Sequence, residues 1–111
     1  MAATDDPLRF EIWLAHLAVG KSEDVRPCIV LGDEEDREWA VMALSSNLSL
    51  YRSLTDFLFR ADDPDFVATG LRRESYVLGD RILTASKIDF VVKWGRLEGE
   101  LARRFEDWAG W

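Results

Sequence analysis

The sequence predicts a mostly β fold, a small β-barrel of short strands followed by one C-terminal α-helix. Three observations carry that expectation. Six or seven short runs rich in branched and aromatic residues alternate with turn chemistry at spacings of about 8–12 residues. The hydrophobic period changes from two to between three and four only near the end. Of the 111 residues 48% are hydrophobic, with five tryptophans among them, enough to build a core rather than a disordered chain. That length fits one domain, with residues 1–8 read as a flexible N-terminal extension and 98–108 as the closing helix.

The first strand is Phe10–Leu17. Ile12, Leu14 and His16 fall on one side and Trp13, Ala15 and Leu17 on the other, so the strand expects little solvent on either face. A polar loop, Gly20–Asp24, precedes the branched run Pro27–Leu31, which Gly32 ends. Asp33–Asp36 is too charged to bury and reads as a solvated turn, after which Trp39–Leu44 completes a hairpin. Leu54–Arg60 is a further strand, with Phe57 and Phe59 on one face. In Asp62–Asp65 an acid is placed to cap a helical turn after Pro64, and Gly70 breaks that turn. Ser75–Leu78 and Arg81–Ala85 are two short strands or one strand bent at Gly79. Lys87–Asp89 then connects to the last strand, Phe90–Leu97.

From Glu98 onward the pattern is helical. Leu97, Leu101, Phe105 and Trp108 recur at steps of four, four and three, which is one helix face. Glu100 and Arg104 are spaced for an ion pair along the helix, and Gly110 sits where its end belongs. The aromatic residues Trp94, Phe105 and Trp108 read as packing residues ahead of any base-stacking surface.

Composition excludes several function classes. No apolar run approaches the roughly 20 residues that span a bilayer. The acidic start Met1–Pro7 does not have the form of a signal peptide. Cys28 is the single cysteine, so neither an intrachain disulfide nor a cysteine-cluster metal site can form, and a reducing cytoplasm is the expected compartment. The sequon at Asn47 carries no meaning there. Gly20-Lys21-Ser22 mimics the end of a phosphate-binding loop, but Ala15 stands where its first glycine belongs. The acidic run 33–36 lacks the alternating ligands of a calcium loop, and His16 has no sequence partner for catalysis. No cofactor or metal motif is found.

The net charge of −7, from 21 acids and 14 bases, repels nucleic acid at long range. Any RNA contact therefore needs a local basic patch. The charge is uneven: residues 1–65 hold 14 acids and 6 bases, whereas residues 66–111 hold 7 acids and 8 bases.

Four segments go together. Glu11-Ile12-Trp13-Leu14-Ala15 is an acid-isoleucine-tryptophan strand, and Gly20 through Leu31 carries Glu23 and then Arg26-Pro27-Cys28-Ile29-Val30-Leu31. Ala43-Leu44-Ser45-Ser46-Asn47 ends a strand in hydroxyl residues. Thr69-Gly70-Leu71-Arg72-Arg73-Glu74-Ser75-Tyr76-Val77 is followed by Asp80-Arg81-Ile82 and by Trp94-Gly95-Arg96-Leu97 before the helix. In this order and spacing the segments resemble the PemK/MazF family of toxins from toxin–antitoxin systems. The resemblance implies an SH3-like barrel, usually a homodimer, that cuts single-stranded RNA without a metal or other cofactor. In that reaction the 2′-hydroxyl attacks the adjacent phosphate, and a cognate antitoxin protein blocks the RNA groove.

Carried over residue by residue, the resemblance makes Arg26 the catalytic arginine that precedes proline. A permanently charged fork of donors suits a phosphate. Ser45 stands where active relatives carry threonine; it keeps the hydroxyl and loses the methyl that fixes the rotamer, so activity should be weakened rather than abolished. Asp80 matches the acid of an arginine-x-aspartate element whose arginine is here Leu78. It is the candidate catalytic base, with a structural loop acid as the alternative. Ser46, Asn47 and Arg81 are candidate RNA-binding residues, although strand alternation puts Arg81 on the face opposite Asp80. The family's opening glycine is replaced by Phe10. A second function class stays open, a catalytically degenerate barrel that binds RNA or a protein without cutting, with the aromatic end Phe105–Trp111 as a contact surface.

Overall fold

The computed structural model describes residues 6–19 and 22–110. Gly20 and Lys21, which open the expected polar loop, and Trp111 lie outside the described residues. The protein is mostly β, with strands β1 (Glu11–Val19), β2 (Ser22–Asp33), β3 (Glu38–Ser45), β4 (Phe57–Phe59), β5 (Ser75–Val77), β6 (Leu83–Ser86) and β7 (Phe90–Arg96), then helix α1 (Gly99–Ala109). Short 3-10 turns occupy Leu48–Leu50, Val67–Thr69 and Lys87–Asp89. All pairings are antiparallel. The order is β4-β5-β3-β2-β1-β7, with β6 also on β3.

The expected barrel does not close. β4 and β7 end the order, and no ladder joins them among the described residues. β3 is divided, its first half pairing with β6 and its last two residues with β5. The gap is covered by side chains instead of backbone hydrogen bonds. From α1, Phe105 packs its ring edge-on to Phe57 at 5.4 Å and to Phe10 at 5.7 Å, which ties β4 to the residue before β1. Burying an apolar helix face there does what a closing strand would otherwise do.

The central β1–β2–β3 ladder is buried on both faces. Ile12, Ile29, Leu31, Met42 and Leu44 face Leu97, Leu101 and Phe105. Trp13, Ala15, Leu17, Cys28, Val30, Val41 and Ala43 form a second cluster with Trp39 and Ala85. Period two thus sorts one continuous apolar strand into two cores. Leu14 and His16 depart from the expected pattern, being partly and largely exposed. Burial pushes the Cys28 thiol up to about 12, so it stays protonated and unreactive in the folded chain.

The helix is built as the spacing predicts, with Leu101 and Phe105 buried and Gly110 ending it at φ 80°. Its charges are arranged differently. Glu100 pairs with Arg103, one turn on, whereas Arg104 reaches across to Asp63. Asp65 rather than a residue of the helix accepts from the Leu101 amide, at 3.3 Å, placing a carboxylate at the positive end of the helix. Asp63 caps its own turn, accepting from the Asp65 amide at 2.9 Å.

Several loops are tighter than expected. Residues 6–8, read as part of a flexible extension, are fastened to the sheet. Trp39 Nε1 donates to the Pro7 carbonyl at 3.0 Å, and Asp6 pairs with Lys87 at 2.8 Å and Arg37 at 3.0 Å. The Lys87 hydrogen bond, above all, holds the Asp6 carboxyl below its usual range. The acidic turn is exposed as expected, with Asp36 and Arg37 both at φ 58°, the handedness a tight hairpin requires. β2 begins at Ser22, so Ser22–Asp24 is strand and not loop. Segment 79–82 is a turn and coil, and β6 starts only at Leu83.

Phe10 holds φ at 71° although it is a bulky L residue. Its amide donates to Val30 at 2.7 Å and its carbonyl accepts from Leu97 at 2.8 Å, which pins the backbone on both sides. The left-handed conformation costs about 1–2 kcal/mol in an L residue, offset here by the ring's packing on Phe105. Phe10→Gly should therefore be more stable than Phe10→Ala by about 1 kcal/mol, the reverse of the order at ordinary strand positions. Both should fall below the parent. Urea midpoints of the three proteins check this; an alanine variant at least as stable as the glycine variant would show that the backbone is unstrained.

Candidate functional site

The ladder between β2 and β3 sets the site. Cys28 lies opposite Ala43, and the same register two residues further puts Arg26 opposite Ser45. Cross-strand neighbours at such positions have Cβ atoms about 4.5–5.5 Å apart. Both residues line a cleft of about 360 Å³, shared with Ser46, Leu71, Arg72, Arg73, Ser75 and Trp94. Among the described residues, three arginines and no acid line this cleft in a chain whose net charge is −7. The local basic patch exists.

Arg26 is held loosely. Its Nη2 lies 3.9 Å from Asp24, and its buried Nε–H has no acceptor among the described residues. A buried donor without a partner costs about 1–3 kcal/mol, and an anion entering the cleft would supply the acceptor. The Ser45 Oγ accepts from the Asn47 amide at 3.1 Å. That bond uses a lone pair, so the hydroxyl hydrogen remains to be donated. Asn47 in turn accepts from Ser49 Oγ at 2.6 Å. Ser46 thus lines the cleft, whereas Asn47 contributes through its backbone by orienting Ser45.

Asp80 and Arg81 are elsewhere. They line a larger groove of about 620 Å³ with Leu54, Ile82 and Trp108, and no residue lines both this groove and the arginine cleft. Because 79–82 is not extended, strand alternation does not apply, and Arg81 shares the groove with Asp80 rather than facing away. Beside them a different acid is buried. Asp56 accepts from the amides of Arg52 and Gly79, each at 3.0 Å, and joins that turn to the end of β5. Glu11 is also buried, accepting from Trp13 Nε1 at 2.9 Å and the Leu8 amide at 2.8 Å. The acid-isoleucine-tryptophan segment therefore contains its own hydrogen bond.

These features sit on a scaffold that is also found in another protein. The chain shares its fold with an endoribonuclease. That protein, solved in complex with its cognate antitoxin and of mycobacterial origin, superposes with a TM-score of 0.64 over 96% of this chain and 92% of its own, at 14% identity. At that identity the likeness is one of fold, and it agrees with the resemblance read from the sequence motifs. No protein-family model and no curated protein matches the sequence.

Two kinds of cleft residue escaped the sequence reading. Arg72 and Arg73 stand in the motif after Gly70, but nothing in their spacing shows that this loop meets the end of β3. Trp94 was expected to pack, as Phe105 and Trp108 do; instead it is 38% exposed in the cleft. Their meeting depends on a close backbone approach. Gly70 has φ 76°, and a Cβ there would come within 2.2 Å of the Trp94 carbonyl oxygen. On the facing strand, a Cβ on Gly95 would meet the Ala68 oxygen at 2.1 Å. Buried Thr69 fastens the same turn, donating to the Phe66 carbonyl at 2.6 Å and accepting from the Leu71 amide at 3.1 Å. Gly70→Ala should cost about 2–4 kcal/mol, from the left-handed backbone together with the steric clash. Denaturant unfolding checks it; a loss below about 1 kcal/mol would mean that the turn and β7 can separate freely.

Proposed function

We propose that the chain is the toxin component of a toxin–antitoxin pair, a metal-independent and slow endoribonuclease acting on single-stranded RNA. The single observation that carries this reading is the Arg26–Ser45 pair in a cleft that two further arginines line. Cleavage by the RNA's own 2′-hydroxyl forms a bond from that oxygen to phosphorus and breaks the bond to the 5′-oxygen. A 2′,3′-cyclic phosphate and a 5′-hydroxyl result. Charge builds on the non-bridging oxygens, where the Arg26 guanidinium and the Ser45 hydroxyl would donate. Arg72 and Arg73 would hold flanking phosphates, which offsets the repulsion from the acidic body.

Among the described residues lining this cleft there is no carboxylate, and the one paired with Arg26 is Asp24, 3.9 Å from its guanidinium, which supports a slow enzyme. Asp80, the candidate base from the sequence, is in the other groove and would need a different route to the reacting atoms. The same observation favours a second reading, in which the cleft binds RNA without cutting it. A protein antitoxin with an acidic segment fits the arginine cleft and would exclude RNA by competition. A homodimer and a cytoplasmic location complete the proposal. Among the described residues no helix is long and apolar enough to cross a membrane.

Single-stranded RNA of varied sequence should be cut in the presence of EDTA, leaving cyclic phosphate ends. Arg26→Ala should lower the rate by about 10²–10³, the usual cost of one preorganised donor to a developing oxyanion. Ser45→Ala should lower it about 10- to 100-fold, and Ser45→Thr should raise it above the parent. Binding without any cleavage would select the second reading. Replacing Arg72 and Arg73 together should reduce the slope of log affinity against log salt by about 1.4, near 0.7 for each phosphate released by a single strand. An unchanged slope would remove those two residues from the RNA path.

A further inference from the structure

β7 contains a bulge whose extra residue is Trp94. Ile12 pairs with Gly95 and Trp13 with Lys93, so the residue between them on β7 has no partner on β1. Bulges bend a strand and re-aim a side chain, and they recur beside active sites. Here the re-aimed side chain lines the cleft that holds Arg26.

Trp94 is unlike the other described tryptophans. The indole N–H groups of Trp13 and Trp39 are satisfied by Glu11 and Pro7, and Trp108 lies against Phe57 and Phe105. Trp94 has neither a ring partner nor an acceptor for its indole N–H among the described residues. Leaving a large aromatic side chain 38% exposed forgoes much of its burial energy. The backbone beneath it lies directly against Gly70, where a Cβ would come within 2.2 Å of the Trp94 carbonyl oxygen.

We propose that Trp94 is a stacking platform for one nucleobase of single-stranded RNA, next to the phosphate that Arg26 engages. The inference rests on the nuclease reading for the identity of the ligand. An exposed aromatic face beside cationic side chains is the combination by which proteins hold single strands. Stacking tolerates any base, so Trp94 supplies affinity and placement rather than a strict sequence code. The unpaired indole N–H adds one donor at the ring edge.

The test uses an oligonucleotide of about ten nucleotides of mixed sequence in which 2′-fluorine replaces the attacking hydroxyl, so that it binds without being cut. Trp94→Ala should weaken its binding roughly 5- to 150-fold, the range for one stacked base. Trp94→Phe should stay within about threefold of the parent, because a smaller ring still stacks. Tryptophan fluorescence should be quenched on binding to the parent and not to Trp94→Phe. With natural RNA, Trp94→Ala should raise KM and leave kcat within a few-fold. Unchanged affinity in Trp94→Ala, or a quench that persists in Trp94→Phe, overturns the platform even if Arg26→Ala abolishes cleavage. A parent protein that neither binds the oligonucleotide nor cuts RNA overturns the nuclease reading and the platform with it.

Discussion

The antiparallel register of β1, β2 and β3 is the constraint on which the rest of the molecule depends. It places Cys28 between Trp13 and Ala43, sorts the apolar side chains into two cores, and carries Arg26 and Ser45 to the same edge. A slip of one residue would exchange the two faces of the central strand. Both cores would then lose their fillers at once, and Arg26 would leave the cleft. The placement of Arg26 beside Ser45 is therefore protected by the same hydrophobic terms that hold the fold together.

Around that ladder the chain closes itself by packing. β3 is shared between β5 and β6, and α1 covers the remaining side through Phe105. This division keeps the Ser45 end of β3 apart from the groove that contains Asp80. It also explains why the buried acids, Asp56 and Glu11, are structural: each accepts hydrogen bonds from nearby backbone or indole groups and binds one turn to one strand. These two buried acids support loops, while three of the arginines, Arg26, Arg72 and Arg73, meet at one cleft.

Much of this was legible from residue patterns, and the failures have physical causes. The period-two strands and the four-four-three helix were readable because burial imposes them directly on the sequence. Arg26 and Ser45 were readable through motifs that lie next to the strand ends they occupy. The open edge between β4 and β7 was not, since strand count alone does not say whether side chains or hydrogen bonds close a sheet. Trp94 reads as packing when grouped with Phe105 and Trp108, and the bulge that leaves it unpaired on β1 leaves no mark in composition. Arg104 was assigned to Glu100 by helical spacing, yet a tertiary partner, Asp63, lies in reach. Arg72 and Arg73 enter the cleft through a loop whose path is set by the close approach of Gly70 to β7.

The buried thiol of Cys28 has a consequence for how this fold opens. It is two residues from Arg26, in the middle of the central strand, and it is shielded by both neighbours of that strand. An alkylating reagent reaches it only when β1, β2 and β3 come apart, so its labelling rate is a clock for opening of the whole ladder. Anything that binds the cleft in the folded state alone slows that clock by mass action. A single native cysteine thus reports occupancy of a site that it does not touch, without any introduced label.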